Sequence, residues 1–309
     1  MSNPSNNSFD LSAYVPKSAR EHPATEGHSV ENVGEDHLRY SLKSAAVQLH
    51  AVKGAVCLAV GILASILVAM PLGTELVGSA HAQVVPKSLE QQLAARLEVA
   101  LRPTQAGGLN FAIGGARLDP LSGPHSLRAQ ADLFLRTRPP SGRTLHIVYG
   151  GGNDLLSAVG HLKAPRMVET AVASLRSIVA DLVGHGASDL LVPNLPDVGM
   201  TPKIRARGST AVAHAGWLTQ QFNGAADRAL SELAGSFGTV RLYRLDVQAM
   251  AARARTNPAA LGFVDIMNPC SRLPGCEGYL FWDGVHPTTQ AHGRLADAAL
   301  PAMSLPVKR

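Results

Sequence analysis

Aromatic and charged side chains are scarce in this 309-residue sequence. Phe, Trp and Tyr make up 5% of the residues, and Asp, Glu, Lys and Arg together make up 17%. The formal net charge of +5 comes from dispersed arginines, and residues 203–207 (Lys-Ile-Arg-Ala-Arg) form a short basic cluster. Surfaces that bind nucleic acid concentrate basic residues, and single strands also need aromatic side chains for stacking. The composition therefore argues against nucleic acid as a partner.

Cysteine is also rare. Of the three cysteines, Cys57 lies in an apolar run, whereas Cys270 and Cys276 lie in a loop rich in Pro and Gly. A structural zinc site needs about four ligands, and no second Cys/His pair at metal-binding spacing accompanies these two. We therefore expect no metal site, and we expect Cys270 and Cys276 to form a small disulfide. Such a bond implies an oxidising compartment.

The N-terminal part of the chain divides into two segments before the globular domain. Residues 1–40 are polar and lack apolar periodicity, so we predict that they are disordered or result from an early start codon. Residues 41–82 contain a basic approach, an apolar run at 55–70 and an Ala-x-Ala cleavage site near Gln83, which is typical of a signal peptide. We expect export to the periplasm or beyond. The run is long for a signal and short for a membrane span, so an uncleaved inner-membrane anchor is the alternative.

Strands and helices alternate in residues 83–309, the predicted globular domain. Strands are expected at 109–117 (ending in a Gly-Gly turn), 144–149, 189–194 and 240–246, and the apolar run at 189–194 predicts burial on both faces. Helices are expected at 87–101, 165–183, 210–233, 246–255 and 288–300. This order predicts an α/β domain with a mostly parallel sheet, and in such sheets sites form at the carboxyl ends of the strands.

A candidate catalytic pair lies near the C-terminus. The segment Phe-Trp-Asp-Gly-Val-His-Pro-Thr at 281–288 places Asp283 three residues before His286, between aromatic residues and a helix start. A carboxylate that orients one ring nitrogen of an imidazole lets the other nitrogen act as a general base. The pair thus predicts two members of a hydrolytic triad, although a surface loop that caps the last helix is the alternative interpretation.

Candidate oxyanion donors occur after two of the predicted strands. The side-chain amide of Asn153, in a Gly-rich turn, can donate to an oxyanion, and the backbone N–H of Gly115 can approach a ligand closely because glycine lacks a side chain. We interpret Asp154 as an N-cap of the following helix. Arg117, Tyr149 and Met200 are candidates for lining a substrate pocket.

Four segments in order resemble the conserved blocks of the GDSL-type SGNH hydrolases. They are Asn-x-Ala-x-Gly-Gly-Ala at 110–116, Gly-Gly-Asn-Asp at 151–154, Val-Pro-Asn-Leu-Pro-Asp-Val-Gly at 192–199 and the segment at 281–288. The resemblance extends over about 87–302 and is closest to the secreted bacterial esterase, lipase and phospholipase/hemolysin branch. It implies a flavodoxin-like three-layer α/β/α sandwich, no cofactor, and cleavage of carboxylic esters through an acyl-enzyme. It also implies that Gly115 and Asn153 are the oxyanion donors, His286 the base and Asp283 its orienter.

The first conserved block of the family is not found in this sequence. A strand followed by Gly-Asp-Ser-Leu should precede the helix at 87, yet Gly-Asp-Ser occurs nowhere in the chain. The most similar segment, residues 27–34, places Ser29 at the nucleophile position. Ser29, however, precedes the export segment and follows no apolar strand. We therefore expect the first strand to be missing through truncation or mis-assembly of the gene product. The alternative is that the apolar run at 55–70 folds into the sheet.

Three functions remain open from the sequence. The first is an exported serine ester hydrolase, expected to be monomeric, that acts on a small-molecule or lipid ester and whose nucleophile is not identified. The second is a catalytically dead homologue that binds acylated lipids or glycans. The third is a structural protein held at the membrane through its N-terminal segment.

Overall fold

The computed structural model describes residues 85–140, 144–238 and 240–304, together with the backbone of residues 56–57. Within the described residues, the central sheet has four parallel strands in the order β1-β2-β3-β4. These strands are β1 (Val56–Cys57), β2 (Leu145–Ile147), β3 (Asp189–Leu191) and β4 (Arg241–Tyr243). Every residue of β3 is buried, as its apolar sequence predicts for an interior strand. The predicted α/β class with a parallel sheet is confirmed.

Strand β1 lies inside the apolar run where the sequence predicted a signal peptide. Val56 pairs with Leu145 and Cys57 with His146, both in parallel register. The expectation that the first strand is missing is therefore wrong at these two residues. An unpaired edge of β2 would expose backbone donors and acceptors, and β1 supplies partners for them. The predicted N-terminal extension, the remainder of the predicted signal peptide and Ser29 lie outside the described residues.

Eight α-helices are present in the described ranges and form the outer layers of an α/β/α sandwich. Helix α4 contacts α2, α3 and α6, whereas α1 packs against α8. The helices are α1 (Leu89–Arg96), α2 (Leu127–Thr137), α3 (Gly152–Ala158), α4 (Ala164–Gly184), α5 (Pro202–Arg205), α6 (Ser209–Ser236), α7 (Val247–Thr256) and α8 (Thr289–Ala302). None of the helices in these ranges is long and apolar enough to span a bilayer.

Helices α4 and α6, the two longest helices, show the apolar periodicity that the sequence predicted. In α4, buried residues recur at helical spacing: Val168, Ala171, Val172, Leu175, Ile178, Val179 and Leu182. Burial of each Val, Leu or Ile side chain in this set stabilises the fold by roughly 1.5–3 kcal/mol, so this stripe fixes α4 on the core. Proline in the first turn of α4 fits there because the first helical N–H groups lack intrahelical partners. Helix α6 presents a similar buried face to α4.

The strand predicted at 109–117 does not form. Asn110 makes one isolated bridge to Pro103, with its N–H donating to the carbonyl of Arg102 and its carbonyl accepting from Thr104. Its side chain also accepts a hydrogen bond from the N–H of Ala112. The backbone of this segment is therefore paired within its own loop and cannot join the sheet. The predicted Gly-Gly turn is present, with Gly115 at φ +75°.

A second, two-stranded parallel pair precedes α8. It joins β5 (Asp265–Pro269) to β6 (Tyr279–Phe281), and the intervening loop is closed by a disulfide between Cys270 and Cys276 with an S–S distance of 2.03 Å. The backbone N–H of Ser271 donates to the carbonyl of Trp282. The disulfide predicted from the sequence thus lies directly beside the segment that carries Asp283 and His286.

Candidate active site

Asp283 and His286 form a tight hydrogen-bonded loop between β6 and α8. The Nδ1 atom of His286 lies 2.5 Å from Oδ2 of Asp283. The other carboxylate oxygen, Oδ1, accepts the backbone N–H groups of Val285 and His286 at 2.8 and 2.6 Å. Both carboxylate oxygens are therefore used to hold this one loop, and Nε2 of His286 is the ring nitrogen that points away from Asp283.

The electrostatics of Asp283 favour its charged form. Partial burial alone raises the pKa of Asp283, but the N–H groups of Val285 and His286 and the His286 side chain outweigh that effect and lower it. The carboxylate is therefore ionised near neutral pH and can stabilise an imidazolium at His286. The indole of Trp282 packs against His286 at a centroid distance of 6.1 Å and restricts the ring from one side.

Two further contacts fix the loop to the rest of the domain. Thr288 is the N-cap of α8: its Oγ1 accepts from Ala291 and donates to the carbonyl of Tyr279 at 2.7 Å. On the other side of the loop, the N–H of Lys203 in α5 donates to the carbonyl of Gly284 at 2.8 Å. The position of His286 is thus determined by α8, β6 and α5 together.

Asn153 lies in the first turn of α3, two residues after Gly151. Any other residue at position 151 would be strained. Gly151, the N-cap of α3, has φ +107°, and a Cβ placed there would lie 2.5 Å from the ring of Phe222. The side-chain Nδ2 of Asn153 donates to the carbonyl of Ala116 at 2.9 Å. Ala116 directly follows Gly115, so the structure brings the two predicted oxyanion donors together.

The role that the sequence suggested for Asp154 is wrong. Asp154 lies inside α3, and its Oδ2 and Oδ1 accept the backbone N–H groups of Leu118 and Asp119 at 2.9 and 3.2 Å. The carboxyl therefore anchors the loop after Gly115 to α3 and does not cap a helix end, because the chain enters α3 through Gly151. Burial raises the pKa of Asp154 to about 6, against the opposing effect of these hydrogen bonds and of Arg117.

An apolar cavity of about 100 Å³ is lined in part by the segments that carry Asn153 and His286. Its wall includes Gly152, which precedes Asn153, and Val285 and Pro287, which flank His286. Tyr149 and Met200 line it, as proposed from the sequence, whereas Arg117 does not. Most of the remaining wall is aliphatic or aromatic: Leu156, Val198, Val247, Met250, Ala254, Leu261, Phe263, Leu280, Phe281 and Leu295. The cavity is suited to an apolar chain.

Two buried titratable residues near the site were not found from the sequence. His292 in α8 is 3% exposed and lines the cavity, and its Nδ1 has no hydrogen-bond partner among the described residues. Burial, with a smaller effect from the charge of His286, lowers the pKa of His292 to about 4. Glu90 in α1 is also buried, which raises its pKa, and its charge contributes to the raised pKa of Tyr149. His292 and Glu90 recur at helical spacing with buried apolar residues, and this periodicity is the sequence signal that could have predicted their burial.

The described residues do not supply every member of a triad. No serine in them occupies a Gly-Asp-Ser sequence, and Ser29 lies outside them. Within the same ranges, no three His, Cys, Asp or Glu side chains converge as a metal site would require. The described residues therefore supply a base, its orienter and candidate oxyanion donors. Chain neighbours of His286 and of Asn153 line the apolar cavity, and the nucleophile is not assigned.

Comparison with known proteins identifies the family. A model of the GDSL-like lipase/acylhydrolase family matches residues 77–299. The chain belongs to this family. The match includes all four segments singled out in the sequence, and with them Asp283, His286, Asn153 and Gly115.

Several known proteins are similar to parts of the chain. Lipase 1 of Photorhabdus luminescens is 33% identical over 118 residues, which cover 36% of this chain and 18% of the lipase. The phosphatidylcholine-sterol acyltransferase of Aeromonas hydrophila is 25% identical over 209 residues, covering 50% of this chain and 59% of that protein. The anther-specific proline-rich protein APG of Arabidopsis thaliana is 27% identical over 172 residues, covering 47% of the chain and 32% of APG. The alignments thus span less than two thirds of each relative.

Among solved structures, a catalytic mutant of an acetylxylan esterase from Geobacillus stearothermophilus is similar to this chain. It is 17% identical with a TM-score of 0.45, and the match covers 72% of this chain and 84% of the esterase.

Proposed function

We propose that this GDSL-family chain hydrolyses carboxylic esters with His286 as the general base and Asp283 as its orienter. The observation that carries the proposal is the 2.5 Å contact between Nδ1 of His286 and a carboxylate that is itself held by two backbone N–H groups. This arrangement fixes the ring orientation and leaves Nε2 to exchange protons with the reacting groups.

The reaction proceeds in two balanced halves. A nucleophilic hydroxyl attacks the ester carbonyl carbon while Nε2 of His286 takes its proton, and the oxyanion accepts hydrogen bonds from Nδ2 of Asn153 and the N–H of Gly115. The intermediate collapses to an acyl-enzyme, and the imidazolium gives its proton to the departing alcohol. Water then repeats the sequence and releases the acid. Asp283 remains ionised throughout and stabilises the imidazolium.

The experiment measures labelling and turnover in the purified chain. A fluorophosphonate probe is expected to label one serine, which mass spectrometry of the labelled peptide would identify. His286→Ala is expected to abolish hydrolysis of p-nitrophenyl butyrate, while His125→Ala, which changes an exposed histidine in another loop, leaves it unchanged. A chain that takes no label and cleaves no ester would overturn the proposal.

A second candidate function rests on the absence of Gly-Asp-Ser from the sequence. In this alternative the chain is a catalytically dead homologue that binds acylated lipids or glycans through the apolar cavity. Ester binding without turnover would favour it over hydrolysis. Failure of the purified chain to give a folded circular dichroism spectrum would count against both functions.

Export and a monomeric state are further proposals that rest on the sequence. Cleavage near Gln83 would remove β1, which pairs with β2, so export by cleavage and a complete sheet are competing outcomes. Intact-mass measurement of the protein from its natural host distinguishes them. A mature chain beginning near Gln83 supports a signal peptide, and an uncleaved chain in the membrane fraction supports the anchor. Size-exclusion chromatography with light scattering tests the monomer.

A further inference from the structure

The loop between α3 and α4 projects an apolar side chain into solvent. Leu162, in this loop, is fully exposed, and Trp217 on α6 is 43% exposed. Gly160, two residues before Leu162, donates its N–H to Nδ1 of His214 at 3.1 Å, and the imidazole of His214 stacks on the indole of Trp217. The loop therefore lies against the turn of α6 that carries Trp217. Single exposed apolar residues are ordinary, whereas an exposed leucine beside an exposed indole is a candidate contact surface.

The charged side chains around this apolar pair are basic. Lys163 and Arg166, at the start of α4, are exposed, and so is Arg207, whose guanidinium donates to a backbone carbonyl of the loop at 2.9 Å. Within the described residues, none of these three cations forms an ion pair. The two contributing segments, 155–168 and 198–226, contain no Asp or Glu. We refer to the following residues as the basic apolar patch: Leu162, Lys163, Arg166, Arg207 and Trp217.

The basic apolar patch lies at the edge of the sheet that carries Asn153. Helix α4 belongs to the crossover from the end of β2 to the start of the parallel strand β3, so the chain enters α4 at the carboxyl edge of the sheet. Helix α6 belongs to the crossover from β3 to β4, so His214 and Trp217, in its first turns, lie at the same edge. Asn153 directly follows β2 there. A surface that binds the patch would therefore contact the face of the domain on which Asn153 lies.

We propose that the basic apolar patch docks the domain on an anionic lipid bilayer. Leucine and tryptophan side chains enter the interface of a bilayer, tryptophan because its indole has an apolar body and a polar N–H. Lysine and arginine next to them are attracted to anionic headgroups. A leucine that projects fully from its loop can enter the acyl layer without a matching pocket, which favours a lipid surface over an acidic protein. The inference concerns binding and does not rest on the proposed ester hydrolysis.

The test measures binding of the full chain to vesicles of dialkyl ether phospholipids, which contain no carboxylic ester to cleave. Sedimentation compares vesicles of the phosphatidylcholine analogue with vesicles that also contain the phosphatidylglycerol analogue. Binding is expected to be at least about tenfold tighter with the anionic lipid, and to weaken with added salt because exposed charges are screened. Equal binding to both kinds of vesicle, or binding to neither, would overturn the proposal.

A pair of variants tests the apolar part of the contact. Leu162→Gln is expected to weaken binding to the anionic vesicles by about tenfold, because a buried leucine is replaced by a polar side chain. Val264→Gln is the control: Val264 is 81% exposed and precedes β5, at the end of the β5–β6 pair remote from the loop that carries His286. It is expected to leave binding unchanged. Equal effects of the two substitutions would contradict the assignment of Leu162.

A second pair tests the charges. Lys163→Gln/Arg166→Gln is expected to remove the preference for the anionic lipid. Arg176→Gln/Arg228→Gln removes two exposed arginines further along α4 and α6 and is expected to leave the preference unchanged. An equal loss in both double variants would show that overall charge, and not the patch, attracts the lipid, and would overturn the proposal.

Fluorescence reports whether the patch itself touches the lipid. Trp217 and Trp282 are the two tryptophans of the chain, so Trp282→Phe leaves Trp217 as the reporter. Its emission is expected to shift to shorter wavelength, and its quenching by acrylamide to fall, when anionic vesicles are added. Sedimentation with vesicles but no change at Trp217 would refute the proposal, because another part of the chain, such as the apolar run at 55–70, would then hold the lipid.

Discussion

The side chain of Asn153 is tied to the loop of Gly115 by a hydrogen bond of 2.9 Å from Nδ2 to the carbonyl oxygen of Ala116. This bond joins two segments that are 37 residues apart in the sequence. An amide nitrogen carries two hydrogens, so one can hold Ala116 while the other is directed at a ligand. The contact therefore sets the orientation of Asn153 and its distance from the N–H of Gly115 before any substrate binds.

Replacing Asn153 tests its assignment as an oxyanion donor. Asn153→Ala is expected to lower kcat for p-nitrophenyl butyrate by about 10²–10³-fold with little change in KM, because the donor acts mainly on the transition state. Asn153→Asp keeps the size but cannot donate, so it is expected to be at least as inactive. Steady-state kinetics, with circular dichroism to verify folding, measures this. A variant that keeps kcat within a few-fold of the parent would exclude the role.

Removing the hydroxyl of Thr288 tests how the catalytic loop is supported. Thr288 is 2% exposed, caps α8 and donates to the carbonyl of Tyr279. Thr288→Ala removes the cap and leaves a buried carbonyl without its donor, so a loss of about 2–4 kcal/mol in the free energy of unfolding is expected. Thr288→Ser retains the hydroxyl and is expected to lose about 1 kcal/mol or less. Urea unfolding followed by circular dichroism distinguishes the two, and equal losses would show that the hydroxyl does not matter.

The disulfide between Cys270 and Cys276 is expected to contribute stability through the unfolded state. Its loop is short, with a sequence separation of 6, so the loss of chain entropy in the unfolded state corresponds to about 2 kcal/mol. Dithiothreitol and the double variant Cys270→Ser/Cys276→Ser should both lower Tm, and dithiothreitol should not lower the Tm of the variant further. A Tm that does not respond to either treatment would indicate that the bond is not formed in solution.

The sequence predicted those features that depend on local pattern. Apolar periodicity located α4 and α6, and the unbroken apolar run at 189–194 located the buried strand β3. The Asp-x-x-His spacing was sufficient to predict the contact of Asp283 with His286, because three residues of loop place the two side chains within reach of each other. Cys270 and Cys276 were predictable for the same reason, since they lie close together in one short loop.

Features that depend on distant partners were not predictable. Asp154 was misassigned because its partners, the N–H groups of Leu118 and Asp119, lie 36 and 35 residues away in the sequence. The strand expected at 109–117 does not form because the backbone of Asn110 is hydrogen-bonded within its own loop. The apolar periodicity of the sequence gives no indication of such pairing. The pairing of β1 with β2 was predicted only as the less favoured alternative, because the apolar run at 55–70 fits an export signal as well as a strand.

The buried carboxyl of Asp154 is expected to make stability depend on pH. Its pKa is raised from 3.8 to about 6 in the folded chain, so the unfolded state loses its proton first as pH rises. The resulting stabilisation is fully present below pH 3.8 and is lost as pH rises through about 6, amounting to ~3 kcal/mol. Asp154→Asn removes this titration. Urea unfolding at pH 4.5, 5.5 and 6.5 should show that stability changes more positively with rising pH in the variant than in the parent chain.

The titration of His292 is expected to change stability in the opposite direction to that of Asp154, over nearly the same pH range. Its pKa is lowered from 6.5 to about 4, so the unfolded state binds a proton first as pH falls, and stability is lost between pH 6.5 and 4 by ~3 kcal/mol. In the parent chain the contributions of Asp154 and His292 largely cancel. Relative to the parent chain, the slope of stability against pH should therefore become more positive in Asp154→Asn, which keeps His292, and more negative in His292→Gln, which keeps Asp154. Identical slopes in the two variants would contradict both pKa shifts, because removing either group alone must expose the other.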